Sequence, residues 1–275
     1  EEFRPVQITR AKSGMLIYDF GQNFAGVIHA AIRGRQGQKV EFRHAEILMD
    51  GELYTEPLRT AKQEAVYICK DGEQTYSPKM TYMGFRYVGV RGIEEDQLEL
   101  TALALYSDVE DNGNFSCSNE LINQLQNSIR WGAKSNFVDI PTDCPQRERA
   151  GWTGDVAIYC DTASYNADTF TFYRRWLQFV RAEQYENGLV PIVVPWAWGY
   201  RYLQMDMFGS DTSAGWGDVI MELPWKLYQI YDEKEILLEN FDAMKAWMKY
   251  VENQAKNGLP EGFPEDASKE EREPP

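Results

Sequence analysis

The chain has 275 residues, with 43 Asp and Glu against 28 Lys and Arg and a net charge of -15. That length allows two domains, each with its own core, and the charge excludes a partner bound through a phosphate backbone, which needs clustered cations. No apolar run reaches the roughly 20 residues that span a bilayer, so neither nucleic acid nor membrane is an expected partner.

The first hundred residues alternate in the manner of strands. Short β-branched or aromatic runs at Met15 to Asp19, Ala25 to Arg33, Lys39 to Glu46, Gln63 to Cys69 and Phe85 to Val90 are separated by turn signals such as Gly34-Arg35-Gln36-Gly37 and Lys70-Asp71-Gly72. This pattern predicts an antiparallel β-sandwich over residues 1 to 110. The only histidines, His29 and His44, fall in these strands and read as structural.

Ser107 to Ser118 is rich in Asp, Asn, Gly and Ser and marks a boundary. Helices are expected beyond it, over residues 111 to 275. The first is capped by Ser118 and carries Ile122, Leu125 and Ile129 on one face; a second runs from about Asp155 to Tyr165. A third starts at an Asp168 cap and buries Phe172, Trp176 and Phe179. After a loop from Gly188 to Gly217 come a helix of Val219 to Tyr231 and another that buries Ile236, Met244, Trp247 and Val251. Paired helices joined by long loops suggest side-by-side hairpins, as in an (α/α)6 toroid, here incomplete. Trp176, Trp225 and Trp247 sit in helical patterns and read as core. Cys69, Cys117, Cys144 and Cys160 form no CxxC pair, and buried free thiols are the reading, with no metal site and no cofactor expected.

The chemistry concentrates between Pro141 and Asp155, which reads Pro-Thr-Asp-Cys-Pro-Gln-Arg-Glu-Arg-Ala-Gly-Trp-Thr-Gly-Asp. Carboxylates move the protons that glycosidic cleavage needs, arginines hold carboxylates or hydroxyls, and an indole face packs on a sugar ring. Glu148 has the longer reach of the acids. Its acidic neighbours favour a proton on it and its arginines favour loss of that proton, a balance the sequence leaves open. From composition alone an exposed, salt-bridged turn explains the loop equally well.

Asp143-Cys144-Pro145-Gln146-Arg147-Glu148-Arg149 with Gly151-Trp152-Thr153-Gly154-Asp155 resembles the active-site signature of the bacterial α-L-rhamnosidases, the inverting glycosidases of family 78. Asp19-Phe20-Gly21-Gln22-Asn23-Phe24-Ala25-Gly26 and Gly84-Phe85-Arg86-Tyr87-Val88 are similar to the β-sandwich that precedes the barrel in that family. Gly188-Leu189-Val190-Pro191, Val194-Pro195 and Ala214-Gly215-Trp216-Gly217-Asp218 are similar to later barrel segments. The resemblance implies hydrolysis of terminal α-L-rhamnose from an oligosaccharide, polysaccharide or glycoside, with Glu148 as general acid. Asp143, Arg147, Trp152 and Asp155 would hold the sugar, with Trp198, Trp216 and Asp218 as further pocket candidates. Trp196 reads equally as core. Many members carry an acidic residue between the arginine and the glutamate; here Arg147 and Glu148 are adjacent, as in a shorter variant, so Asp143 stays a rival acid. The general base would lie beyond this chain, which alone is expected to be inactive or nearly so. A cytoplasmic location is expected. The alternatives are a non-catalytic carbohydrate-binding protein and a six-hairpin glycosidase of other specificity.

Overall fold

The computed structural model describes residues 1–196, 212–256 and 259–260. Contacts divide the chain into two compact units: residues 1–108 with 115–149, and 109–114 with 150–275. Trp198 lies outside the described residues.

The first unit is an eight-stranded antiparallel arrangement built on one long strand. Its strands are β1 (Glu2–Phe3), β2 (Gln7–Arg10), β3 (Leu16–Gly34), β4 (Lys39–Ala45), β7 (Glu64–Ile68), β8 (Gly72–Tyr76), β9 (Met83–Arg91) and β10 (Leu98–Ala104); a small hairpin of β5 (Leu48–Met49) and β6 (Glu52–Leu53) stands apart. The first part of β3 pairs with β2 and β9, and its last part with β10 and β8. One strand therefore serves two layers, the device by which sandwiches turn corners. Residues at a spacing of two fill the core: Leu16, Tyr18 and Phe20, then Ile28, Ala30 and Ile32, these last three beside Ala102, Leu100 and Leu98 of the paired β10.

Two strands expected before and after Gly21 are in fact continuous, and the reason is local. The Asp19 carboxylate accepts from the Gly21 N–H at 2.7 Å and from Arg86 Nε and Nη2 at 2.7 and 2.8 Å. Gly21, at φ +74°, makes a bulge where the register with β9 shifts between Asp19 and Phe24. The bidentate pair joins the two sequence stretches of this domain that carried the family resemblance, and the Arg86 guanidinium holds Asp19 below the usual carboxylate range. His44 is fully buried, with Nδ1 2.9 Å from the Gln63 carbonyl oxygen, and burial pushes it down to about 4. His29 is exposed beside Ser77.

Helix α1 (Glu120–Asn136) belongs to this unit. Its cap is Asn119, whose side chain accepts from Leu121 N–H, and not Ser118. Ile122 and Leu125, expected on an apolar face, are exposed. A two-stranded ribbon of β11 (Phe137–Val138) and β12 (Ile140–Pro141) follows.

In the second unit α2 (Thr153–Asn166), α3 (Phe170–Glu183), α5 (Val219–Tyr231) and α6 (Glu235–Gln254) pack together, with α4 (Ala214–Gly217) a single turn. Tyr173, Trp176 and Leu177 of α3, Val219, Ile220, Leu223 and Leu227 of α5, and Ile236 and Trp247 of α6 are buried. Phe172, Phe179, Met244 and Val251 are only half-buried, and Trp225, read as core, is half-exposed. Leu238, Phe241 and Met248 leave an apolar stripe of α6 exposed. All four thiols are free; Cys69 and Cys160 are buried, Cys144 is half-buried, and Cys117, against expectation, is exposed. No described helix is long and apolar enough to cross a membrane.

Candidate active site

The border between the two units falls within the signature loop, between Arg149 and Ala150. The loop therefore contributes to each unit separately.

In the first unit, Asp143 to Arg149 is a compact turn footed on the sheet. The Arg149 N–H donates to the Cys144 carbonyl at 3.1 Å and closes the turn, with Arg149 itself left-handed at φ +56°. The sulfur of Cys144 works in both directions: Sγ donates to Asp143 Oδ2 at 2.8 Å and accepts from the Glu148 N–H at 3.3 Å. Burial, and then the Asp143 carboxylate, push the thiol up to about 11, so it keeps the proton that it donates. Asp143, Cys144 and Glu148 place ligand atoms within 4.8 Å of one another, as a cation site does. The protonated sulfur instead serves Asp143 and the backbone of Glu148.

Glu148 is half-buried, its side chain 17% exposed. Its Oε1 faces two guanidiniums, Arg147 Nε at 3.2 Å and Arg59 Nη1 at 3.5 Å. Arg147 is anchored in turn by donating from Nη1 to the Pro57 carbonyl at 3.4 Å. Arg149 spends its side chain elsewhere, on the Tyr82 carbonyl and the Thr81 hydroxyl, with its guanidinium 5.1 Å from the Tyr82 ring centre.

The footing of this turn explains Gly84. A Cβ there would lie 2.7 Å from the Gln146 nitrogen and 2.9 Å from the Pro145 carbonyl carbon, so only glycine lets β9 and the loop approach so closely. The Gly84 N–H donates to Gln63 Oε1 at 3.1 Å, which ties the same spot to the buried Gln63.

In the second unit the loop runs into α2. Trp152 occupies the cap position and forms a bridge with Val193, while the Gly151 carbonyl accepts from Val194 N–H at 2.8 Å. Thr153 is fully buried; its N–H donates to the Ile192 carbonyl at 2.9 Å and its hydroxyl reaches the Pro191 and Ile192 carbonyls at 3.2 and 3.1 Å. Gly154 is needed because a Cβ would sit 2.7 Å from three atoms of the Trp216 indole. Trp152, Asp155 and Trp216 thus gather at one end of α2, with Trp152 half-buried and Asp155 and Trp216 exposed. Asp155 stands in the first turn of α2, where the helix dipole favours a carboxylate.

Asp218 has a protein partner: Oδ1 accepts from Trp247 Nε1 at 2.9 Å. Gly217 beside it is forced by the same indole, 2.3 Å from where a Cβ would be. Trp196 is half-buried, and its N–H donates to Glu183 Oε2 at 2.8 Å; burial raises Glu183 above the usual carboxylate range.

Two residues near the predicted site escape sequence reasoning. Arg59 lies 89 positions before its contact, Glu148, in a stretch that reads as loop. Glu183 is the last residue of α3. No local pattern marks either one.

Residues 9–106 match the family profile described as the bacterial alpha-L-rhamnosidase concanavalin-like domain, and residues 110–268 match the bacterial alpha-L-rhamnosidase 6 hairpin glycosidase domain. An alpha-L-rhamnosidase of Alteromonas sp. (strain LOR) is 37% identical over 265 residues, covering 94% of this chain and 28% of the relative. One from Formosa agariphila is 39% identical over 253 residues, covering 90% and 26%. Among solved structures, the alpha-L-rhamnosidase from Dictyoglumus thermophilum superposes with a TM-score of 0.84 at 36% identity, over 93% of this chain and 28% of that one. The Streptomyces avermitilis alpha-L-rhamnosidase complexed with L-rhamnose gives 0.85 at 33%, over 93% and 24%. The chain thus spans about a quarter of the length of these relatives.

Proposed function

The chain belongs to the bacterial α-L-rhamnosidase family, and from that premise we propose that it supplies the acid side of an inverting hydrolysis of terminal α-L-rhamnosides. The observation that carries this reading is the setting of Glu148. Its backbone N–H is fixed by Cys144 and its carboxylate by Arg147 and Arg59, so the group that must deliver a proton has a defined position.

In the proposed reaction Glu148 gives its proton to the bridging oxygen as the C1–O bond breaks, and the aglycone leaves as the neutral alcohol. Water attacks C1 from the opposite face through an oxocarbenium-like transition state and passes its proton to a second carboxylate, which we assign to no residue of this chain. Asp143, whose Oδ2 is held by the Cys144 thiol, is better suited to accept sugar hydroxyls than to act as the acid. Trp152 and Trp216 offer indole surface for the apolar side of the sugar, Arg147 fixes the acid, and Asp155 accepts hydroxyls.

The test uses the full-length protein with aryl and alkyl α-L-rhamnosides. Glu148→Gln is expected to lower kcat by about 10² or more on alkyl rhamnosides, whose leaving groups need the proton, and by less on nitrophenyl rhamnoside. Proton NMR of the first product should show the β-anomer. Residues 1–275 alone should turn over neither substrate. An α-anomer as first product, or wild-type rates for the variant on alkyl rhamnosides, overturns the assignment.

A further inference from the structure

We propose that Arg59 determines specificity on the leaving-group side of the site, recognising an aglycone that carries a carboxylate. The inference rests on the assignment of Glu148 as general acid. A general acid protonates the oxygen that departs with the aglycone, so any group touching its carboxylate lies within reach of the first aglycone unit.

Among the described residues two arginines touch Glu148, and they differ in what else they do. Arg147 is 28% exposed and is committed to the Pro57 carbonyl as well as to the acid. The Arg59 side chain is 66% exposed, and its sole contact among the described residues is the 3.5 Å approach of Nη1 to Glu148 Oε1. A guanidinium has five N–H donors in a planar fork suited to a carboxylate, and here most of that fork remains open to solvent.

The base of the side chain is fixed. Arg59 follows the 3₁₀ turn Glu56–Leu58, its N–H donates to the Glu56 carbonyl at 3.1 Å, and Leu58 is buried beneath it. Its backbone lies at φ +53°, ψ -114°, a conformation that side-chain-bearing residues rarely adopt and that clusters at working sites. The same turn supplies the Pro57 carbonyl to Arg147, so one turn addresses both Arg147 and Glu148.

The reaction makes the open fork matter. Glu148 must be neutral at the moment it acts, and Arg59 then loses its anionic partner. A carboxylate on the aglycone replaces that partner during the chemical step, whereas a neutral aglycone does not. Such substrates are rhamnosides of uronic acids or of other acidic alcohols.

The experiment compares 4-carboxyphenyl and 4-carbamoylphenyl α-L-rhamnosides in the full-length wild type, Arg59→Gln and Arg59→Lys, after thermal unfolding has confirmed that each variant is folded. The ratio of kcat/KM for the charged over the neutral substrate should fall about two- to fivefold in Arg59→Gln, the worth of a solvent-exposed ion pair. Arg59→Lys should restore part of it, and the wild-type preference should shrink in high salt. A ratio unchanged in Arg59→Gln, or equal losses on both substrates, overturns the proposal while leaving Glu148 as the acid. Failure of the wild type to cleave either rhamnoside removes the rhamnosidase reading and this inference with it.

Discussion

Replacing Gly84 by alanine tests whether the sheet positions the acid. The backbone of Gly84 lies outside the left-handed region, so alanine suffers no torsional penalty there, and the effect comes from contact alone. The new methyl carbon would lie 2.7 Å from Gln146 N and 2.9 Å from the Pro145 carbonyl carbon. Both are backbone atoms, and relief to an ordinary contact of about 3.4 Å requires the loop to retreat by roughly 0.5–0.7 Å. Overpacking of this kind costs about 1–3 kcal/mol, which for a unit of this size lowers Tm by roughly 3–9 °C. The displacement also moves Cys144 and Glu148, which lie two residues to either side of Gln146. A shift approaching 1 Å in a catalytic group is worth up to about 10²-fold in rate, so with Glu148 as the proposed acid kcat of the full-length protein should fall by an order of magnitude while KM changes little. The Cys144 thiol provides a second readout in this chain by itself, because loosening its bonds to Asp143 and Glu148 should speed its alkylation by iodoacetamide. Unchanged Tm together with unchanged alkylation of Gly84→Ala would refute the argument that the sheet holds this loop by close approach.

Other outcomes follow from the same geometry. Cys144→Ser keeps a donor toward Asp143 Oδ2 and an acceptor toward the Glu148 N–H, whereas Cys144→Ala removes both of these contacts; kcat of the full-length protein should fall about tenfold further in alanine than in serine, and equal values would count against a positioning sulfur. Thr153→Val removes the buried hydroxyl from the Pro191 and Ile192 carbonyls at nearly constant volume, with an expected loss of about 1–2 kcal/mol in urea unfolding; no loss would mean that the Thr153 N–H alone holds that strand. His44 gives a pH dependence of fixed sign. Its folded value, about 4, lies below the ordinary 6.5, so the unfolded chain binds the extra proton first, and stability falls as pH drops from about 6.5 through about 4. Between pH 7 and pH 5 the wild type should lose about 2 kcal/mol more than His44→Asn, and parallel profiles of the two proteins would contradict the buried neutral imidazole.

Much of this molecule was legible in its sequence, for identifiable reasons. Alternation located β4, β7 and β9, and helical patterning located α3, with its aromatic face, and α5. Strand β10 escaped notice because Leu98-Glu99-Leu100-Thr101-Ala102-Leu103-Ala104 alternates well but uses helix-favouring residue types. The apolar side of α1 misled because amphipathic period says that a face exists, not what covers it. In the loop, residue chemistry named Glu148, Asp143 and Arg147, and the structure places the three in one compact turn, linked through the Cys144 sulfur and the Arg147–Glu148 ion pair. Arg59 stayed hidden, and Gly84 was visible only as part of a resembling stretch, since both meet the loop through contacts more than 60 positions along the chain.

The placement of the acid turn on the sheet has a consequence for how such proteins can recombine. Domain borders drawn by sequence would assign Glu148 to the helical part, as something that could be inherited with the barrel alone. Its footing argues otherwise: Pro57, Arg59, Gln63 and Gly84 all belong to the unit that contains Glu148. A chimera that exchanged the sheet for one with a side chain at Gly84, or with a differently shaped turn at residues 54–59, would carry every signature residue and still misplace Glu148, the proposed proton donor. The sheet and the acid loop are therefore a single unit of exchange, and successful shuffling between relatives should cut after Arg149 and not before Pro141.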